Sequence, residues 1–159
     1  MPLSVMKILT QRSIIPNMKA SGKKQILQEM AARAGAVTGI HERAIFDVVF
    51  EREKLSTTGI GHGVAIPHGR LSGLDRVCGF FARLDRPVAF EAIDDQPVDL
   101  VFMLLAPPEA GADHLKALAA VSRLLRDTRM CEKLRGCGSA DAVLALLAQD
   151  ELEATPAAA

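Results

Sequence analysis

Residues 98–108 read VDLVFMLLAPP, an almost continuously apolar run broken only by Asp99 and closed by two prolines. A strand with one wet face alternates polar and apolar positions, so an unbroken run of this kind is expected as a strand covered on both faces, at the centre of a sheet. VCGFFARL, beginning at Val77, is a second strand-like run. VAIP, over 64–67, is a third: it is short and β-branched, and Pro67 biases Ile66 away from helical backbone. Between the longer runs, RPVAFEAIDDQP carries two prolines and an acidic turn, which fits a short edge strand and a loop.

Helices are expected on either side of these strands. Ser21 opens SGKKQILQEMAARAG as a cap, with Ile26, Leu27 and Met30 as its apolar positions and Gly35 as its stop. Thr38 precedes GIHERAIFDVVFEREKL, where Ile40, Ala44 and Val48 form one stripe beside Ile45 and Val49, so a second helix is expected to run to about Lys54. After the paired prolines, HLKALAAVSRLLRD places His114, Leu118, Val121 and Leu125 on one face with Asp113 as cap. Helical pieces around TRMCEKLRG and SADAVLALLAQ follow. The order implies an α/β single-domain sandwich with a mixed central sheet flanked by helices on both faces. Some pairing must be antiparallel, because VCGFFARL and VAF are too close in the chain for a helical crossover. One domain over residues 1–150 is expected, followed by a flexible C-terminal tail over 151–159.

The 159 residues hold no Trp or Tyr, so the core is expected to be aliphatic with a few Phe. Nineteen basic and nineteen acidic residues cancel, which removes the strong positive field that a nucleic-acid binder uses. No apolar stretch approaches the ~20 residues that span a bilayer, and the start MPLSVMKILTQRS lacks a secretory core, so a cytoplasmic protein with no membrane insertion is expected. Cys78, Cys131 and Cys137 lack zinc-type pairing and read as small buried apolar residues.

The stretch GIGHGVAIPHGR, residues 59–70, is either only a tight glycine hairpin or the place of the chemistry. It cannot be a dinucleotide fingerprint or a phosphate-binding P-loop, which need a strand before the glycines and a helix after them. His62 reads as an exposed turn residue among glycines. His68 follows a strand that ends at a rigid proline and precedes a glycine, which leaves little bulk on either side of its ring. Neutral imidazole is a good nucleophile near pH 7, and a phosphoryl group on its nitrogen remains transferable; a structural histidine is the competing reading. His114 sits at an expected helix start, where free backbone N–H groups favour an anion, or it is a first-turn residue on the edge of the apolar stripe. Arg52 lies between Glu51 and Glu53 and is either a solvated charge or a guanidinium folded back onto phosphate oxygens. His41, His62, His68 and His114 match no metal-ligand spacing, no serine stands in a nucleophile elbow, and neither metal nor cofactor is expected.

Taken together, GIGHGVAIPHGR, FEAIDDQPVDLVFMLLAP and DHLKALAAVSRLL resemble the IIA component of the bacterial phosphoenolpyruvate-dependent phosphotransferase system, mannitol/fructose type, over roughly residues 3–148, and most of all its nitrogen-regulatory branch. The resemblance implies a mixed sheet between helices and a histidine that accepts a phosphoryl group from a histidine-phosphocarrier protein. That histidine falls on His68. The family's second active-site histidine falls on His114, and its arginine on Arg52, both as phosphate-stabilising residues. Many relatives carry a small or amide residue where His62 stands. The resemblance further implies regulatory targets such as potassium-transport or sensor proteins. A sugar-specific subunit passing phosphoryl to a IIB domain, or a binding module that has lost transfer, are the alternatives. A chain without attached IIB or IIC segments is expected to be the regulator.

Overall fold

The computed structural model describes residues 4–154. After two 3-10 turns (Val5–Ile8 and Gln11–Ser13) the order is β1 (Ile14–Met18), α1 (Lys23–Thr38), α2 (Glu42–Leu55), β2 (Gly59–Gly61), β3 (Val64–Ala65), β4 (His68–Arg70), β5 (Cys78–Val88), β6 (Val98–Ala106), α3 (Gly111–Arg126), α4 (Thr128–Arg135) and α5 (Ala140–Ala154).

The six strands make one sheet in the order β1-β5-β6-β3-β2, and β4 also pairs with β6. The apolar run of β6 is its centre. β5 lies antiparallel on one side; β3 and then β4 lie parallel on the other, in line with each other. Alternate β6 side chains enter opposite cores: Val101, Met103 and Leu105 pack with Ile26, Met30, Ile45 and Val49 of α1 and α2. Leu100, Phe102, Leu104 and Ala106 pack with Ala117, Val121, Leu134 and Val143 of α3, α4 and α5. The period of two in a strand thus explains why both faces of β6 needed apolar residues. The result is the α/β sandwich with a mixed sheet between helical layers that the sequence pattern implies.

Several local boundaries differ from expectation. Gly35 does not stop α1. The helix continues to Thr38 and ends on Gly39, whose φ of 80° is the left-handed conformation that glycine adopts without cost. Gly35 is needed for space instead, since a Cβ there would lie 3.0 Å from the Ile40 carbonyl oxygen as the chain folds back into α2. The cap of α2 is His41, whose Nδ1 accepts from the Arg43 amide, so the helix begins at Glu42, after the Gly-Ile-His that follows Thr38. Asp113 lies within the first turn of α3, which Ala110 precedes as cap.

β1 is a strand the pattern did not reveal, and the segment VAF forms no edge strand, because β5 runs through Pro87 to Val88 and the chain then leaves the sheet. The antiparallel partner of β5 is β6. Cys131 and Cys137 are buried and Cys78 half-buried, all as free thiols. Burial pushes each thiol above its ordinary pKa, so none is poised as a thiolate. Helix α5 extends to Ala154, four residues into the segment expected as a tail. It is anchored there by Glu151, whose carboxylate accepts from the Ser4 hydroxyl at 2.8 Å and the Met6 amide at 3.1 Å. The rest of that segment, 155–159, lies outside the described residues.

Candidate functional site

His68 opens β4. Strand pairing along β6 is interrupted at Ile66 and Pro67 and resumes with His68 opposite Leu104. The histidine therefore begins a second short strand rather than trailing the end of one. The interruption lets its ring fold back, so that the His68 Nδ1–H donates to the Ile66 carbonyl at 3.0 Å. A carbonyl can only accept, which fixes the proton on Nδ1 and leaves the Nε2 lone pair outward. That lone pair receives the Arg52 Nε–H at 3.2 Å.

Arg52 comes from the last turn of α2, on the opposite side of β4 from His114. No strand covers the outer edge of β4 among the described residues, and the guanidinium reaches round that edge. Its Nη1 donates to the Ser56 carbonyl at 3.0 Å, so the guanidinium is held by its own helix end as well as by the imidazole. Gly69 makes this approach possible. A Cβ at Gly69 would lie 2.6 Å from Val48 Cγ1, so the glycine lets α2 pack directly on β4 and bring Arg52 within reach. It thus serves helix packing as well as leaving little bulk beside the ring.

His114, in the first turn of α3, completes the cluster from the other layer. Its ring stands edge-on to that of His68, 5.7 Å between centroids and 69° between planes. It is 6% exposed, and its Nε2 is the one buried side-chain polar atom without a hydrogen-bond partner among the described residues. The three residues singled out in the sequence thus converge. His62 does not join them: it sits exposed at the tip of the β2–β3 hairpin with φ 56°, as a turn residue.

Burial, the largest influence, holds the imidazole of His68 below its usual pKa. The Arg52 charge lowers it further, while the Ile66 carbonyl and Glu53 work in the opposite sense. His114 is also lowered, first by burial, then by the charges of His68 and Arg70. Both rings are therefore neutral near pH 7. The consequence for stability has a definite sign. Below the ordinary imidazole pKa of about 6.5 the unfolded chain takes up protons that the native rings refuse, so stability is full above that pH and falls as the medium is acidified through it. We expect the urea midpoint to drop below about pH 6.5 and the drop to shrink in His114→Leu; an identical pH profile in the two proteins would contradict the assignment.

Two supporting networks escaped the sequence reading. Glu53, which its neighbours suggested was solvated, is 5% exposed. Its carboxylate accepts from the Thr58 amide at 2.9 and 3.0 Å and the Thr58 hydroxyl at 2.9 Å, and it pairs with Lys23 Nζ at 3.2 Å. This joins the end of α2 to the start of the glycine hairpin. The spacing Ile45, Val49, Glu53 on the apolar stripe was the available signal. Beyond it, Arg135 bonds Asp99 at 2.9 and 3.1 Å and donates to the His62 carbonyl at 2.7 Å, clamping the hairpin tip from α4. Gly63 leaves the space this needs, for a Cβ there would meet Arg135 Nη2 at 2.6 Å.

Residues 7–150 match the family described as phosphoenolpyruvate-dependent sugar phosphotransferase system, EIIA 2. The chain belongs to this EIIA family. A nitrogen regulatory protein of Bradyrhizobium diazoefficiens is 54% identical over 146 residues, spanning 92% of this chain and 95% of that protein. A fructose-specific EIIA component of Haloferax volcanii is 37% identical over 134 residues, spanning 84% and 86%. The crystal structure of the nitrogen regulatory protein IIA-Ntr from Neisseria meningitidis superposes with a TM-score of 0.85 at 36% identity, covering 90% of this chain and 98% of that one. Phosphoryl transfer is the family's business. No helix among the described residues is long and apolar enough to cross a membrane.

Proposed function

We propose that this EIIA chain is a cytoplasmic phosphocarrier regulator that takes a phosphoryl group onto His68 Nε2 from a histidine-phosphocarrier protein and controls target proteins according to its phosphorylation state. One observation carries the reading: a neutral imidazole, its tautomer fixed by the Ile66 carbonyl, offers Nε2 between a guanidinium and a second, unpaired imidazole.

In the transfer, the Nε2 lone pair attacks the phosphorus of the donor's phosphohistidine in line with the bond that breaks. The new N–P bond forms as the old one cleaves, and its electron pair returns to the donor ring. No proton need move: Nδ1–H stays on the Ile66 carbonyl and the phosphorylated His68 ring becomes cationic, while a donor ring protonated at its other nitrogen leaves neutral. Arg52 must release Nε2 before attack. Still tethered to Ser56, its guanidinium then meets the phosphoryl oxygens as charge spreads over them. His114 donates its unused Nε2–H to another of those oxygens, which gives that buried atom the partner it lacks. Leu115, exposed beside His114, and Leu55, exposed just beyond Arg52, supply apolar rim for the donor surface.

The 54% identity to a nitrogen regulatory protein, against 37% to a fructose-specific component, favours the regulator over the sugar-specific subunit. The test is incubation with phosphoenolpyruvate, the system's enzyme I and a phosphocarrier. An acid-labile mass gain of one phosphoryl group is expected. No gain with any donor would leave a binding module that has lost transfer, and rapid onward transfer to a IIB domain would select the sugar-uptake reading.

His114 gives a prediction in which stability and activity move in opposite directions. A buried polar atom left unsatisfied costs roughly 1–3 kcal/mol. His114→Leu, similar in volume, is therefore expected to raise the melting temperature of the unphosphorylated protein while slowing phosphoryl acceptance by about 10²-fold, the usual cost of losing one donor to developing charge. A less stable protein with unchanged transfer kinetics would return His114 to a packing role.

A further inference from the structure

Residues 68 and 70 of β4 lie in unbroken register with Leu104 and Ala106 of β6, and Gly69 between them turns toward Val48 of α2. By strand alternation His68 and Arg70 share the other side, toward α3. Arg70 is exposed, and its guanidinium makes one long hydrogen bond, from Nη1 to the Pro108 carbonyl at 3.4 Å. Neither a carboxylate nor any other acceptor engages it among the described residues. Pro108 stands just before α3, whose first turn carries His114, so this contact draws the cation toward the second histidine. The charge of Arg70 is felt there, being one of the influences that keep His114 neutral.

Arg52 therefore approaches His68 from the end of α2, and Arg70 stands on the α3 side beside His114. A phosphorylated side chain carries about −1.5 to −2 charge. On His68 that charge sits on three phosphoryl oxygens beside a ring made cationic by its retained Nδ1–H; Arg52 brings one guanidinium to those oxygens, His114 is neutral, and the nearby carboxylate of Glu53 is already committed to Lys23 and Thr58, which leaves oxygens open to a second donor. We infer that Arg70 is a second guanidinium of the phosphoryl site, held in reserve on the Pro108 carbonyl and turned onto the phosphoryl oxygens once His68 is phosphorylated. Its effect is to hold the group as a dianion and to shift the transfer equilibrium toward this protein. The inference rests on the proposed phosphorylation of His68 and adds a residue to it.

The test uses no protein partner. Wild type, Arg70→Ala and Arg70→Lys are phosphorylated with phosphoramidate, whose P–N bond breaks with loss of ammonia as the His68 N–P bond forms. The titration of the phosphohistidine, in which the ring gives up its Nδ1 proton beside the dianionic phosphoryl group, is then followed by 31P NMR. The charged and titratable groups facing the site are Arg52 and Glu53 from α2, the neutral His114 from α3 and Arg70 itself. Loss of a guanidinium at the oxygens is expected to raise the midpoint by about half a pH unit in Arg70→Ala, with most of the shift recovered in Arg70→Lys. A midpoint equal to wild type in Arg70→Ala overturns the inference, including the case where only transfer from the phosphocarrier slows, since the residue would then act on the partner. A wild-type protein that takes up no phosphoryl group would remove the underlying reading as well, so the two failures are distinguishable.

Discussion

His68→Ala is expected to abolish phosphoryl acceptance and leave a folded protein. His68 Nε2 is the nucleophilic lone pair that the site presents beside a guanidinium, whereas Arg52 has none to offer and His114 is 6% exposed with its Nε2 enclosed. The backbone of β4 is held by its register with Leu104, Leu105 and Ala106, which the substitution does not touch. The side chain itself is half-buried and makes one backbone hydrogen bond, so its removal costs little stability. Mass spectrometry after incubation with the donor cascade reads the first effect, and circular dichroism with a urea melt reads the second. A residual mass gain at the wild-type rate would move the acceptor elsewhere, and an unfolded variant would show that the ring is structural.

The second large effect is on stability. Glu53→Ala is expected to cost roughly 3–5 kcal/mol, as breaking a buried ion pair from one side usually does. The substitution leaves Lys23 Nζ without its carboxylate and removes the acceptor for both the Thr58 amide and hydroxyl. Those bonds tie the end of α2 to the strand entering the glycine hairpin, so the position of Arg52 depends on them. Glu53→Gln keeps one acceptor oxygen and is expected to lose less. Urea denaturation of the two variants checks this, and a cost below about 1 kcal/mol in Glu53→Ala, the range of exposed pairs, would show that the pair is effectively solvated.

What could be read from the sequence was whatever shows itself along the chain. The unbroken apolar run of β6 announced a strand buried on both faces, and from it the sheet and its two helical layers. The Ile-Pro-His-Gly segment marked His68, and helix-start chemistry marked His114. That these two and Arg52 meet was not legible, for Arg52 arrives from the opposite layer around a strand edge. Glu53 was misjudged for a related reason: two charged neighbours outweighed its place on the apolar stripe, and its partners Lys23 and Thr58 lie on other elements. The Arg135–Asp99 clamp on the His62 carbonyl likewise depends on α4 packing across the sheet. β1 was hidden by its brevity and by Pro16, which suits only an edge strand, the position it takes. The stop expected at Gly35 falls on Gly39 because the requirement at Gly35 is a tertiary contact, invisible to helix-stop rules.

The central claim concerns one ring atom, and it can be measured directly. In 15N-labelled phosphoprotein, long-range 1H–15N correlations of His68 distinguish the two nitrogens. The account predicts a phosphoryl group on Nε2 and a retained proton on Nδ1, as the Ile66 carbonyl requires. Phosphorylation at Nδ1, or at any other histidine, would contradict it.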